Sequence, residues 1–240
     1  MIENPEQLAI NHLENNMNAE LFVKELSNLS FKNVFNPYSD CCALHDVHDA
    51  PEKRRMMLKK MLIAASKVEV DSIWIGRDLG YRGGRRTGLA LTDDVHLSYH
   101  AARWGVEVSR LTKGKTIAER TAAVIWDVLQ KISQPIFLWN VFPLHPYEDG
   151  DPFSNRTHNA KERSAGEKLL DLIVKLLNPK RLIAIGNDAE KAALRFRSQC
   201  FIEKVRHPSY GGKNIFLDQV NRIYKLPKVT TMNESQLQLC

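Results

Sequence analysis

The stretch SIWIGRDLGY, residues 72–81, decides the fold. Its opening residues are small or apolar and include β-branched and aromatic side chains, which predicts a buried strand. Gly76 then lets the backbone turn sharply, and Asp78 follows at the carboxyl end of the strand. Ligands of open α/β sheets bind at the carboxyl ends of the strands. Asp78 is therefore a candidate functional carboxylate.

A second element of the same kind lies far downstream. FIEKV, residues 201–205, predicts another strand, and the loop RHPS, residues 206–209, follows it. Pro208 stiffens the loop, which carries His207 to the same edge of the sheet. An aspartate and a histidine at one edge can form an acid–base or electrostatic pair. Gly-x-Asp is common in turns and His-Pro-Ser occurs in ordinary loops, so the prediction depends on both together.

Strands alternate with helices along the chain. Strands are predicted over residues 71–76, 136–141, 181–186 and 201–205. Helices are predicted over residues 18–30, 51–66, 93–104, 116–132, 160–177, 187–198 and 213–224. Such alternation predicts a three-layer α/β/α sandwich with a central, mostly parallel four-stranded sheet.

Local signals set several helix boundaries. Pro51 follows Asp49 as a first-turn residue, and Thr116 with Glu119 predicts a capping box for the helix that follows. The pair at residues 178–179, Asn-Pro, ends the helix before the third strand.

Composition indicates a basic globular protein. The 240 residues are 43% hydrophobic and 26% charged, with a net charge of +6. We expect one domain with a core over about residues 18–226, a loosely held polar segment at 1–17 and a disordered polar tail after Leu226. No apolar run is long enough for a membrane span, and no secretory signal is visible, so a cytoplasmic monomer is expected. The positive charge suits an acidic polymer, although many basic proteins bind no nucleic acid.

The three motifs GRDLG (76–80), LWNV (138–141) and HPS (207–209) together resemble those of the uracil-DNA glycosylase superfamily. Its first motif reads Gly-x-(Asp/Asn/Glu)-Pro-Gly or a near variant, and its last reads His-Pro-Ser or similar. The resemblance covers about residues 33–225 and includes the Thr-Gly pair at 87–88. Leu79 stands where proline is usual, and Leu91 stands near the place of an aromatic that stacks on the base, so the branch stays open.

The resemblance implies hydrolysis of an N-glycosidic bond after the base has been flipped out of the helix. Asn140 would read the edge of a pyrimidine with its amide. His207 would donate a hydrogen bond to the base, where negative charge builds, and Asp78 would stabilise the sugar cation and position water. The alternatives are a turn-forming aspartate, a surface histidine beside a phosphate, and a strand-end asparagine that satisfies a loop.

The resemblance also bears on the size of the base pocket. Members strict for uracil place a bulky aromatic at the position of Gly80, against C5 of the base, so glycine and Leu91 leave room for a substituted pyrimidine. Alternatively, Tyr81, Phe142 or Tyr38 closes this space. The candidate base-binding residues are Asn140, Gly76, Gly80, Leu91, Tyr38 and Phe142.

The loop at residues 77–92 is rich in glycine and arginine, which suits contact with a phosphate backbone. Its alternative is a solvated mobile loop. In the last motif, Ser209 could bond a phosphate and Tyr210 could fill the place of the flipped base, although burial of Tyr210 in the core competes. The candidate DNA-binding residues are Arg77, Arg82, Arg85, Arg86, Ser209, Tyr210 and Lys213.

No cofactor is expected. The cysteines at 41, 42, 200 and 240 include an adjacent pair and no Cys-x-x-Cys, which predicts neither an iron–sulfur cluster nor a disulfide. The histidines at 45, 48, 96 and 100 lack a metal-binding motif. Gly-x-Gly-x-x-Gly is absent after the strands, which disfavours a nucleotide cofactor and a Rossmann-like nucleotide-binding protein.

The predicted function is a monofunctional DNA N-glycosylase that leaves an abasic site, because no lysine stands where a Schiff-base nucleophile is expected. Its substrate would be uracil, which implies repair, or a C5-modified pyrimidine of foreign or phage DNA, which implies defence. The alternative is a catalytically inert DNA- or base-binding module of the same fold, against which the presence of both Asp78 and His207 argues.

Overall fold

The computed structural model describes residues 5–227, with side chains from residue 14 onward. Its helices are α1 (Pro5–Asn28), α2 (Ala50–Ala65), α3 (Gly84–Thr87), α4 (Leu97–Ala102), α5 (Arg120–Leu129), α6 (Ala160–Leu177), α7 (Asn187–Ala193) and α8 (Lys213–Tyr224), with a 3-10 turn at Leu194–Phe196 after α7. Its strands are β1 (Val34–Phe35), β2 (Ser72–Asp78), β3 (Ile136–Phe142), β4 (His145–Pro146), β5 (Arg181–Ile185) and β6 (Phe201–Val205).

The central sheet has four strands in the order β3-β2-β5-β6, and all three pairings are parallel. From β2 the chain passes to β3, which lies on one side of β2 in the sheet. It then forms β5 and β6, which lie on the other side of β2. The strand order therefore reverses between β2 and β5, and a doubly wound sheet binds its ligand at such a switch point, beyond the carboxyl ends of the strands.

Each face of the sheet carries its own core, which confirms the predicted three-layer sandwich. Ile73, Ile75 and Trp139 face a core built with α1, α2, α6 and α7. Trp74 and Leu138 face a second core built with α5 and α8. Because both faces are covered, β3 and the middle of β2 and β5 are apolar rather than alternating, whereas the edge strand β6 carries Glu203 and Lys204 and is buried only at Val205.

Several predicted boundaries are confirmed and others are wrong. The segments 160–177, 201–205 and 213–224 are helix, strand and helix as predicted. The predicted start of the helix at 116 is wrong, since α5 begins at Arg120 and its N-cap residue, Glu119, makes no side-chain capping bond. The hydroxyl of Thr116 instead accepts a hydrogen bond from Arg110 at 2.8 Å. The predicted capping box is therefore absent.

The glycine-rich segment also needs correction, whereas nothing tests the predictions for the two ends of the chain. The loosely held segment at 1–17 stays a prediction, although α1 begins within it, at Pro5. The segment 77–92 contains α3 and is not a continuous loop. The small antiparallel pair of β1 with β4 was not predicted. The predicted disordered tail lies outside the described residues from 228 onward. Across the described part of the chain, no helix has the length and apolar character needed to cross a membrane.

Candidate active site at the carboxyl edge of the sheet

The structure brings the three motif residues to one edge of the sheet. Asp78 is the last residue of β2, and Asn140 lies in β3 opposite Gly76. His207 follows β6, and its Cβ lies 3.5 Å from the position that a Cβ on Gly186, just after β5, would occupy. The candidate residues therefore surround the switch point between β2 and β5.

Asp78 is held by two side chains. One carboxylate oxygen, Oδ2, accepts a hydrogen bond from Nε of Arg77 at 2.6 Å. The other, Oδ1, pairs with Nδ1 of His158. The carboxylate is buried, with 6% of its side chain exposed. Because both oxygens bond to other side chains, the alternative of a turn-forming aspartate bonded to its own backbone does not describe this residue.

His158 is the site residue that sequence reasoning missed. It directly precedes Asn159, the N-cap of α6, and its ring packs on Phe142 with centroids 6.1 Å apart. The capping box formed by Asn159 and Glu162 was a readable signal for the start of the helix. That signal places a histidine at the end of a loop but does not identify its partner.

Asn140 is the most unusual polar residue of the site. Its side chain is 1% exposed, and neither atom of its amide has a hydrogen-bond partner among the described residues. A buried polar group without a partner costs about 1–3 kcal/mol. The alternative of an asparagine that satisfies a loop is therefore wrong, and the unpaired donor and acceptor suit a ligand.

Gly76 allows the Asn140 amide to take this position. A Cβ on Gly76 would overlap Oδ1 of Asn140 and would lie 3.1 Å from Cδ2 of Leu91. The expectation that Gly76 turns the chain is wrong, since it lies within β2. Glycine is needed here for close approach of the neighbouring side chain.

Leu91 lies beside Asn140 in a strained conformation. Its φ is +54°, in the left-handed region that a leucine rarely adopts. The carbonyl of Leu91 accepts a hydrogen bond from Nε1 of Trp126 at 3.1 Å. The loop is thus held in place from the α5 layer, and strain of this kind often accompanies a functional site.

The space beside Gly80 is open. Apart from its chain neighbours Leu79 and Tyr81, a Cβ on Gly80 would have a single neighbour within 4 Å among the described residues, Oδ1 of Asn155 at 4.0 Å. That oxygen accepts a hydrogen bond from the backbone of Tyr81 at 2.9 Å. The hydroxyl of Tyr81 in turn accepts from Nε of the exposed Arg82.

The other proposed walls, Phe142 and Tyr38, lie in the core. The ring of Phe142 packs edge-on against Phe31. Tyr38 is buried and donates its hydroxyl to the carbonyl of Gly88. Neither side chain closes the space beside Gly80.

The geometry of His207 determines which of its nitrogens can donate. Its Nδ1 accepts a hydrogen bond from the backbone N–H of Ser209 at 3.2 Å. Burial lowers the pKa of His207, and the nearby charges of Arg77 and Arg206 lower it further. The neutral ring therefore carries its proton on Nε2, which is left as a hydrogen-bond donor.

Two of the four arginines predicted to contact phosphate are buried. The guanidinium of Arg85 lies 4.0 Å from the centroid of the Phe35 ring and 4.8 Å from that of Phe153. Arg86 forms an ion pair with the buried Asp94 at 2.7 Å. The prediction is wrong for both, because Arg85 is buried against aromatic rings and Arg86 is buried in an ion pair, so neither charge is exposed to DNA.

The loop after His207 presents an aromatic side chain to solvent. Tyr210 is 98% exposed and has a φ of +51°. Its alternative, burial in the core, is therefore wrong. Lys213, at the start of α8, is also exposed. Ser209 is partly buried, with its hydroxyl 3.4 Å from that of Thr121.

No protein-family model and no curated protein sequence matches the chain. Among known structures, it is similar to the crystal structure of wild-type SMUG2 from Pedobacter heparinus, with a TM-score of 0.57 and 14% sequence identity. The match covers 87% of this chain and 97% of the other. The two proteins therefore share their fold over nearly the whole length of the neighbour.

Proposed function

We propose that this protein is a monofunctional DNA N-glycosylase of the uracil-DNA glycosylase superfamily. The observation that carries the proposal is the buried Asn140 amide, which has no partner in the described chain and lies on the sheet edge that also holds Asp78 and His207. The fold shared with SMUG2, a protein of that superfamily, supports it. The presence of both Asp78 and His207 at this edge argues against an inert binding module.

Base recognition would use Asn140. Its amide offers a donor and an acceptor, which match the edge of a pyrimidine. A flipped base that formed both hydrogen bonds would remove the cost of leaving the amide unpaired. Leu91, fixed beside the amide, would contact the face or edge of the base.

Bond cleavage would use Asp78 and His207. As the bond between C1′ of the sugar and the base breaks, its electron pair leaves with the base, and Nε2–H of His207 donates to the oxygen where the charge collects. The carboxylate of Asp78 stabilises the cationic sugar and positions the water whose oxygen bonds to C1′, and the proton that this water loses ends on the departed base. Removing one such aimed group typically lowers a rate by ~10²–10³.

DNA would be held by the exposed groups around this edge. Arg82 and Lys213 are exposed cations in the segments that follow Asp78 and His207, and Arg77 adds a third whose side chain is 46% exposed. Ser209 would bond a phosphate. Tyr210, almost wholly exposed, would fill the place vacated by the flipped base.

The substrate would be a pyrimidine with a substituent at C5. The open space beside Gly80 favours it over a strict preference for uracil. Bases of this kind occur in foreign DNA such as that of phages, which would give the enzyme a role in defence. Excision of uracil in repair is the second candidate, since an open pocket also admits the smaller base.

A panel of otherwise identical duplexes tests the proposal. Each carries uracil, hypoxanthine, hydroxymethylated cytosine or glucosylated cytosine at one position, and both free base and abasic sites are measured. We expect free base and an uncleaved abasic strand from at least one pyrimidine duplex. Strand cleavage by the protein itself would contradict the monofunctional assignment. No release from any duplex would contradict the proposed activity.

A further inference from the structure

A buried pairing joins the candidate catalytic carboxylate to a histidine from a distant loop. Nδ1 of His158 pairs with Oδ1 of Asp78, and only 4% and 6% of the two side chains are exposed. The other carboxylate oxygen accepts from Nε of Arg77 at 2.6 Å. Each oxygen of Asp78 therefore has its own donor, which determines the plane of the carboxylate.

The chain around His158 is itself firmly held. The side chain of Asn159 accepts hydrogen bonds from the backbone of Lys161 and Glu162, at 2.9 and 3.1 Å. The carboxylate of Glu162 accepts from the backbone of Asn159 at 2.8 Å and from both terminal nitrogens of Arg156, at 2.8 and 2.7 Å. These bonds leave His158 little freedom to move away from Asp78.

The ring of His158 is also confined. It packs against the buried Phe142 of β3. The charged groups around it are Asp78, with Arg77 beyond it, and Glu162, which is paired with Arg156. Packing on one side and the carboxylate on the other restrict the ring to an orientation in which Nδ1 meets Oδ1.

We propose that His158 is a positioning residue for base excision: it donates Nδ1–H to Asp78 and, together with Arg77, holds the carboxylate in the orientation needed at the sugar. The inference rests on the proposed glycosylase activity. A carboxylate oxygen accepts more than one hydrogen bond, so both oxygens of Asp78 keep a lone pair for the attacking water. His158 does not touch the substrate and acts through Asp78.

Three substitutions separate the hydrogen bond from the volume of the ring. His158→Phe fills the space without a donor. His158→Asn places an amide nitrogen near the position of Nδ1, whereas His158→Gln places it near the position of Nε2. We expect His158→Phe and His158→Gln to lower the single-turnover rate of base release by about 10²-fold, since misplacing a reacting group by about 1 Å costs that much. His158→Asn should retain most of the rate, and affinity for DNA should be unchanged in all three.

A double-mutant cycle distinguishes positioning from plain stabilisation. If His158 acts through Asp78, His158→Phe should cause no further loss of rate in an Asp78→Asn background, because groups that act as a unit are not additive. An equal loss in both backgrounds, or a wild-type rate for His158→Phe, would overturn the proposal. So would a rate loss that only follows a fall in the folded fraction, measured by denaturant unfolding.

Failure of the underlying activity would look different. If wild-type protein releases no base from any duplex of the panel, the proposed function and the positioning role fall together. If wild-type protein is active and His158→Phe equals it, only the positioning role falls. Should His158→Phe not fold, the contrast between His158→Asn and His158→Gln decides, and equal rates for these two would overturn the proposal.

Discussion

At the scale of single residues, the site depends on the close approach of the Asn140 amide to the backbone of Gly76. Gly76 has no side chain, and the amide of Asn140 occupies the space where a Cβ would be. The neighbouring Gly80 is the opposite case, since a Cβ there would have room. The two glycines of one motif therefore differ: a Cβ at Gly76 would displace the amide, whereas a Cβ at Gly80 would fit, which supports the proposed open pocket.

Gly76→Ala should impair base release more than it impairs folding. The new methyl overlaps Oδ1 of Asn140, so the amide must shift, and a shift of about 1 Å costs on the order of 10² in rate. Single-turnover release and denaturant unfolding measure the two effects. Gly80→Ala is the matched control and should behave like wild type. Equal rates for the two alanine variants would show that the position of Asn140 does not matter.

Gly80→Tyr should change which bases are accepted. The ring would occupy the open space beside Asn155 and would clash with a C5 substituent, while unsubstituted uracil is less affected. The measurement is the ratio of single-turnover rates on uracil and on a C5-substituted pyrimidine, in wild type and variant. A wild-type protein that releases uracil and rejects every C5-substituted base would contradict the open pocket.

At the scale of elements, α4 and α5 support the strained loop at Leu91. Nδ1 of the buried His100, in α4, lies 2.8 Å from the hydroxyl of Thr92, and that hydroxyl donates to the carbonyl of Ala90. The histidine is thus the donor to Thr92, and its ring lies against Trp126 of α5. The two helices together hold the loop above Asn140.

His100 should make stability depend on pH. Burial lowers its pKa from 6.5 to about 3. The unfolded chain therefore binds a proton below about pH 6.5 that the folded protein does not bind. As the pH decreases below that value, the free energy of unfolding decreases by up to ~1.4 kcal/mol per pH unit. The contribution is complete above pH 6.5 and is lost as the pH falls towards 3.

The matched variant is His100→Asn, which keeps a donor near Nδ1 but does not titrate. Denaturant unfolding at pH 7, 6 and 5 should show the wild-type advantage shrinking as the pH falls. The effect of His145, whose pKa burial lowers to about 4, is common to both proteins and cancels. A constant difference between them would contradict a neutral buried His100.

Many of the strands and helices, and the site residues that they position, could be predicted from the sequence. β3 and the middle of β2 and β5 are apolar because both faces of the sheet are covered there, so their pattern was readable, and the strand ends placed Asp78, Asn140 and His207 at one edge. The start of α5 was not readable, since a Thr-x-x-Glu pattern suggested a cap that the fold does not use. His158 could not be predicted, because its partner is 80 residues away in the chain.

At the scale of the whole molecule, charge is divided between the interior and the surface. The net charge of +6 suits DNA, yet the buried Arg85 and Arg86 contribute to folding rather than to binding. Sequence cannot separate these roles, because burial is decided by how distant segments pack. The exposed Arg82 and Lys213 are among the cations that can face phosphate.

Replacing Arg82 and Lys213 by alanine should weaken binding to all DNA sequences alike. The slope of log affinity against log salt should become shallower by about 0.9 for each phosphate that the protein no longer neutralises. Arg85→Ala is the matched control, since it removes a charge from the interior and should lower stability while leaving the slope unchanged. An unaltered slope in the double variant would show that these residues do not touch the backbone.

The central claim is that Asp78 and His207 at one sheet edge break the glycosidic bond. The most direct measurement is single-turnover release of the preferred base by Asp78→Asn and His207→Ala, with DNA affinity and unfolding measured alongside. Both variants should fold and bind DNA like wild type and should release base ~10²-fold more slowly or worse. Wild-type release by either variant would contradict the account.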